Sequence, residues 1–217
     1  MPIEIPKDKW PGSVRVVTVG ATAEEGGTRT RSVAVGGQTG MPYLHYEAPL
    51  PNKPVVAIEI KSHKPEDWSP LLIEAWGNVM DNPAMWAKKA EETGADLIVL
   101  ELTTEDTPAD AVNAVKAVLG ATGLPLIVWG PGQAEKDNDL LVPISEATKG
   151  EKLVLGICED KNYRTIVATA MANGHLVQAR TAMDVNLAKQ LNILISDMGM
   201  PKDRIIMDPT TGALGYG

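Results

Sequence analysis

The 217-residue chain is 44% hydrophobic and 22% charged, a globular balance that excludes a disordered polymer. Its net charge of −8, with no Lys/Arg block and no aromatic-basic interleaving, argues against a nucleic-acid partner. A single cysteine, Cys158, excludes an intrachain disulfide and a self-contained iron–sulfur or Cys-type zinc site, and it fits a reducing cytoplasm.

The longest apolar runs fall short of the roughly 20 residues needed to span a bilayer. The start, Met1 to Trp10, has no apolar h-region, so no signal peptide is expected. Phenylalanine is absent, which leaves Leu, Ile, Val and Met to fill the core.

Residues 12–37 read as a hairpin. Val14–Gly20 and Thr30–Gly36 are β-branched runs with partial alternation, and the polar segment Ala21–Arg29, containing Gly26-Gly27, turns between them. No Gly-Lys-Ser/Thr follows, so the segment reads as a lid or an edge contact, not a phosphate-cradling loop. Pro42–Pro54 is a proline-rich connector whose His45 is expected in solvent. Residues 1–54 therefore form an N-terminal extension, and 55–217 a second region with a different rhythm.

That rhythm is strand, loop, helix. Val55–Ile60 is an apolar strand. Helical material follows over 70–92, broken at Asp81-Asn82-Pro83, where Asn82 is an N-cap and Pro83 the first helical residue. Asp96–Leu102 is the second strand, and Thr107-Pro108 starts a helix with an apolar stripe at Val112, Val115, Val118 and Leu119. Leu124–Trp129 is the third strand, before Gly130-Pro131-Gly132 and a weakly patterned helix over 137–148. Lys152–Ile157 is the fourth strand, before a helix over Tyr163–Ala172. His175–Ala179 is the fifth, before the amphipathic helix Val185–Met198. Ile205–Met207 is the sixth, stopped by Asp208-Pro209.

Strands alternating with helices imply parallel pairing and right-handed crossovers. No Gly-x-Gly-x-x-Gly follows the first strand, so a dinucleotide-binding doubly wound sheet loses support. The fold class is α/β, a TIM-type (β/α)8 barrel with an N-terminal β-hairpin. A full barrel has eight strands in about 250 residues. About six of the eight are present, so the barrel is incomplete at its C-terminus. The missing strands are expected in a longer polypeptide or from elsewhere.

Barrels place their sites at the C-terminal ends of the strands. Those ends carry Glu59 and Lys61, Glu101 and Thr103, Trp129 and Gly130, Glu159 and Asp160, Arg180 and Thr181, then Asp208, Thr210 and Thr211. The set is rich in carboxylates and small hydroxyls. His45, His63 and His175 lie in unlike positions, with His175 at the start of its strand and so at the opposite face. A His-rich metal centre and a Ser-His-Asp triad are not expected. Glu101 and Glu159 could instead act as an acid–base pair on a sugar, or the strand-end charges could serve only as caps and ion pairs of the rim.

Four segments, Ala95–Leu102, Trp129-Gly-Pro-Gly132, Glu159–Tyr163 and Met207-Asp-Pro-Thr-Thr-Gly212, in this order and spacing, resemble the small subunit of the corrinoid iron–sulfur protein. This is the delta subunit of the acetyl-CoA decarbonylase/synthase complex, and the resemblance runs over essentially the whole chain. It implies a TIM barrel and a place in the reductive acetyl-CoA (Wood–Ljungdahl) pathway of anaerobes. It also implies a cobalamin-type corrinoid at the interface with a larger subunit, with the [4Fe–4S] cluster on that partner only. A methyltetrahydrofolate methyltransferase and acetyl-CoA synthase would be transient partners, and the chain would supply walls and no catalytic residue. Glycine and threonine suit close approach to a flat macrocycle, so the candidate cofactor-binding residues are Thr103, Gly130, Asp160, Asp208, Thr210, Thr211 and Gly212. Two other readings stay open. One is a pterin-binding methyltransferase of the same barrel class using Asp160 and Asn162; the other is a structural subunit that touches no cofactor.

Overall fold

The computed structural model describes residues 11–40, 48 and 50–210. Two short strands, β1 (Val17–Val19) and β2 (Val33–Val35), pair antiparallel, with Val17 opposite Val35 and Val19 opposite Val33. Both are shorter than the β-branched runs suggested, because Gly20 and Gly36 turn the chain at positive φ and the residues just before each strand, Arg15-Val16 and Arg31-Ser32, are exposed.

The second region alternates strands and helices. In order they are β3 (Ala57–Lys61), α1 (Pro70–Trp76), α2 (Pro83–Glu92), β4 (Leu97–Glu101), α3 (Pro108–Ala121), β5 (Leu126–Trp129) and α4 (Ala134–Ala147). Then come β6 (Val154–Cys158), α5 (Tyr163–Asn173), β7 (Leu176–Arg180), α6 (Val185–Asp197) and β8 (Ile205–Asp208). The break read at Asp81–Pro83 is real. A 3-10 turn over Gly77–Asp81 separates α1 from α2, and Asn82 Oδ1 accepts the Ala84 and Met85 N–H groups at 2.9 and 3.3 Å. Thr107 and Asp110 cap α3 reciprocally, and Asp184 accepts from Asn186 and Leu187 at the start of α6. Helix α4 starts at Ala134, three residues earlier than its weak apolar pattern indicated, because its first turn is polar.

Strands β3 to β8 form one parallel sheet in unbroken sequence order. A doubly wound sheet reverses its order at a switch point and takes helices on both faces. Here nothing reverses, and successive helices pack beside one another on one side. The architecture is therefore a partial (β/α) barrel with a small antiparallel hairpin. Among the described residues, β3 and β8 have no strand on their outer edges.

Alternation along each strand separates two apolar clusters. The outward set, including Ile60, Ile98, Leu100, Leu126, Val128, Leu155 and Val177, packs under the helices. Trp86 of α2 is fully buried there and meets Trp68 edge-on, with ring centroids 5.4 Å apart. The inward set at the N-terminal end of the sheet, Leu97, Val154 and Leu176, packs against Val17, Val19 and Val33 of the hairpin. The hairpin thus covers the bottom of the barrel.

Polar bonds fix it there. Gly20 N–H donates to Lys152 O at 3.0 Å and Thr30 N–H to Gly123 O at 3.0 Å. The buried Arg29 guanidinium donates to Glu151 Oε2 at 3.2 Å and to the carbonyls of Leu119, Thr122 and Leu124. His175, fully buried, lies at this face as its sequence position indicated. Its Nδ1 accepts from Leu153 N–H at 3.2 Å, which leaves Nε2–H to donate to Ser145 O at 2.9 Å. Burial lowers its pKa, so the neutral ring is the one held.

Candidate functional site

The inward face changes character toward the C-terminal ends of the strands. Below are Leu97, Val154 and Leu176. Above them, on the same face, come Glu59 and Lys61 of β3, Glu101 of β4, Trp129 of β5, Gly156 of β6, Gln178 and Arg180 of β7, and Asp208 of β8. A polar layer therefore crosses the barrel under its mouth.

Two bonded groups build this layer. On the β3–β4 side, Lys61 Nζ donates to Glu101 Oε2 at 2.8 Å, with both side chains half-buried. Glu59 lies beside them. Burial raises its pKa, the hydrogen bond and charge of Glu101 raise it further, and Lys61 opposes. On the β5–β8 side, Trp129 Nε1–H donates to Gln178 Oε1 at 2.6 Å, and Gln178 Nε2–H donates to Asp208 Oδ2 at 2.8 Å. Asp208 Oδ1 in turn accepts the Thr210 N–H at 2.9 Å. This chain of bonds passes over β6, where a Cβ on Gly156 would sit 2.9 Å from the Trp129 ring and 3.2 Å from Gln178 Oε1. Glycine at 156 is what lets β5 and β7 bond across the strand between them. The pairing of β6 with β7 also shifts register here, between Leu155 and Cys158.

Above the layer opens a cavity of about 470 Å³, lined by Glu101, Trp129, the Gly130–Gly132 loop, Ile157, Glu159 and Arg180. It combines carboxylate acceptors, one guanidinium donor and a loop with two residues lacking side chains. Glu101 and Glu159, the pair considered for acid–base work, share this cavity, but Glu101 is already paired with Lys61. Cys158, under the rim, is buried; burial and the neighbouring Glu159 charge push its thiol up to about 12, which keeps it in the thiol form.

A second polar cluster sits beside the mouth at the ends of β3 and β4. Asp106, nearly fully buried, accepts Ser62 Oγ–H at 2.6 Å and Thr103 N–H at 2.7 Å. His63 Nδ1 lies 3.1 Å from Thr103 Oγ1 and 3.6 Å from Asp106 Oδ1.

The residues singled out from sequence are thus distributed unevenly. Gly130 lines the cavity. Asp208 and Thr210 join it through Gln178 and Trp129. Thr103 belongs to the Asp106 cluster and does not line the cavity. Asp160 is exposed and also does not line it. Asn162, its proposed pterin-binding companion, is buried and bonded inward, to Ile157 O and the Glu159 N–H. Thr211 and Gly212 lie outside the described residues, as does His45. Sequence reading passed over Gln178 and Asp106. A glutamine between Val177 and Ala179, on the same face as Leu176 and Arg180, was the available signal for the first. Nothing local marks the second.

Comparison with known proteins gives the family of the chain. Residues 17–217 match the family described as the CO dehydrogenase/acetyl-CoA synthase delta subunit. The chain belongs to that family. It is 39% identical to the acetyl-CoA decarbonylase/synthase complex subunit delta of Archaeoglobus fulgidus, over 97% of this chain and 48% of that protein. It is 36% identical to the subunit delta 1 of Methanosarcina thermophila, over 96% and 50%. It is 35% identical to the subunit delta of Methanocaldococcus jannaschii, over 99% and 54%. This delta-family chain therefore spans about half the length of the curated relatives it matches. A solved isomerase from Streptomyces coelicolor A3(2) aligns over 71% of this chain and 55% of its own at 13% identity with a TM-score of 0.32, too distant to argue from. Among the described residues, no helix is long and apolar enough to cross a membrane.

Proposed function

We propose that this delta-family chain is the barrel of the non-iron–sulfur subunit of a corrinoid methyl carrier. In this reading it covers a cobalamin-type cofactor at the interface with a larger subunit. The carrier takes a methyl group from methyltetrahydrofolate through a separate methyltransferase and delivers it to acetyl-CoA synthase. The observation that carries the reading is the mouth itself, in a chain of this family: a polar-floored cavity with an open side and a bare glycine loop on its wall.

The residues present fit such a group. Gly132, whose missing Cβ faces open space, lets a flat macrocycle approach the backbone closely, while Arg180 donates and Glu101 and Glu159 accept around it. When bound, the corrinoid supplies the cobalt that accepts and hands on the methyl group. The chain's own residues shape and dry the space around it. Trp129, Gln178 and Asp208 are each satisfied within the chain, so they form a fixed floor. Lys61 and Glu101 neutralise each other at its edge. Exclusion of water protects a reactive nucleophile from side reactions. A [4Fe–4S] cluster held by thiolates needs four cysteines, and these 217 residues have one. In this proposal the cluster lies outside these residues, on the larger subunit.

Anaerobic purification from the source cells, with complex mass and visible spectrum recorded together, tests the reading. Corrinoid absorbance with a stoichiometric larger partner is the expected result. A colourless preparation that binds methyltetrahydrofolate by itself overturns it in favour of a pterin-dependent methyltransferase.

A further inference from the structure

The wall of the mouth rests on a buried carboxylate. Asp137, in the first turn of α4, is 1% exposed. Its Oδ1 accepts the N–H of Gly132 at 3.0 Å and of Gln133 at 3.3 Å. The loop lies so close above it that a Cβ on Gly130 would run into the carboxylate. Its other oxygen, Oδ2, lies 3.4 Å from Asn162 Nδ2. Asn162, 3% exposed, also donates to Ile157 O at 2.9 Å and accepts the Glu159 N–H at 2.8 Å. The two side chains thus tie the β5–α4 loop to the β6–α5 loop. Those loops supply Gly130, Pro131, Gly132 and Glu159, four of the eight residues around the cavity, and Ile157 of β6 adjoins them.

We propose that Asp137 and Asn162 are the positioning pair of the mouth: they set the height of the glycine loop and couple it to the neighbouring loop, so that both walls hold or release a bound cofactor together. The proposal rests on the reading of the mouth as a cofactor's wall. Neither residue lines the cavity, so each acts through the backbone it holds.

The pair is also sensitive to protons. Every partner of Asp137 is a donor: two backbone N–H groups and an amide NH2. An ionised carboxylate satisfies all three, whereas a protonated one must turn its O–H toward one of the donors and loses that bond. Burial opposes the charge, the backbone donors favour it, and repulsion from Glu159 opposes it again; the balance pushes the carboxyl up to about 6. Glu159, on the β6–α5 loop, is the charged group that acts on it. Glu135, Lys136 and Asp139 on its own helix, and Asp160, Lys161 and Arg164 on the neighbouring segment, make no bond to it among the described residues. The Trp129–Gln133 loop above it brings no titratable group. The clamp therefore loosens as falling pH puts a proton on Asp137.

Hydrogen exchange on the full-length chain, in the assembly in which it purifies, reads this directly. Protection of the Gly132 and Gln133 amides is followed from pH 7 to pH 5 and corrected for the intrinsic exchange rate. Aquocobalamin is titrated in parallel. In the native protein, protection is expected to fall severalfold over this range as the ionised fraction falls. In Asp137→Asn, whose amide oxygen accepts at every pH, the profile is expected to be flat. Asn162→Ala is expected to leave protection at Gly132 and lose it at Glu159. Aquocobalamin affinity should weaken with falling pH in the native protein and lose that dependence in Asp137→Asn. A flat native profile, or an Asp137→Asn profile that still falls with pH, overturns the positioning pair. Exchange that behaves as expected in a protein that binds no aquocobalamin leaves the pair standing and overturns the cofactor reading.

Discussion

The two ends of this barrel are built from opposite materials. At the bottom, the hairpin seals an apolar layer of Val17, Val19, Val33, Leu97, Val154 and Leu176, and its one buried charge, Arg29, is saturated by Glu151 and three carbonyls. At the mouth, the same strands present Glu59, Lys61, Glu101, Trp129, Gln178, Arg180 and Asp208 to an open cavity. Both ends contain carboxylates and cations. The difference is what remains unsatisfied. At the bottom Arg29 and Glu151 complete each other's bonding, whereas Arg180 and Glu159 at the mouth line a cavity and bond no other side chain among the described residues. Polar side chains mark a site only where their bonding is incomplete.

The sharpest way to break this contrast is Arg29→Met. It removes the cation from the buried Glu151 carboxylate, which keeps only Thr28 as a donor, and takes a donor from three carbonyls; removal of one partner from a buried pair costs about 3–5 kcal/mol. Urea unfolding should show that loss as a lower midpoint with an unchanged slope. A loss below 1 kcal/mol would mean that water reaches the seal. Gln178→Leu attacks the mouth instead. It leaves the Trp129 indole N–H and the Asp208 carboxylate without their partner, at about 1–3 kcal/mol. Corrinoid retention should fall with it, whereas Arg29→Met should spare retention in whatever fraction stays folded.

The smallest effect has the opposite sign. Glu59 has a raised pKa in the folded chain, so folding is favoured most when it is protonated, and that advantage is lost as pH rises from the ordinary carboxyl value of 4.5 through the raised one. Glu59→Gln should match the native protein below pH 4.5 and exceed it in stability at neutral pH, measured by thermal unfolding across pH. Equal pH dependence in both proteins would show that Glu59 is solvated and that the mouth is wet to its floor.

Much of the contrast was legible in the sequence. Short apolar runs ending in Glu101, Trp129-Gly130 and Asp208 identified the strand ends, because alternation and chain-breaking residues are local signals. The Asn82-Pro83 break and the Thr107-Pro108 start were legible for the same reason. Asp137, Asn162 and Asp106 were not legible as supports. Each is a polar residue in a polar stretch until folding brings another loop's backbone against it. Gly156 shows the limit most clearly. Within Val154–Cys158 it looks like a weak point in a strand, and its purpose depends on a bond between residues 129 and 178 that passes over it.

The unbroken strand order has a consequence for how the chain assembles. Each strand from β4 onward pairs with the one made just before it, so the sheet can grow as the polypeptide emerges, N-terminus first. The hairpin breaks this economy of distance. Arg29 reaches carbonyls 90 to 95 residues downstream and Glu151 122 residues downstream. Closing such spans costs chain entropy before any contact repays it. The hairpin precedes every strand of the sheet in the chain, yet its Arg29 can be seated only once Glu151 has left the ribosome.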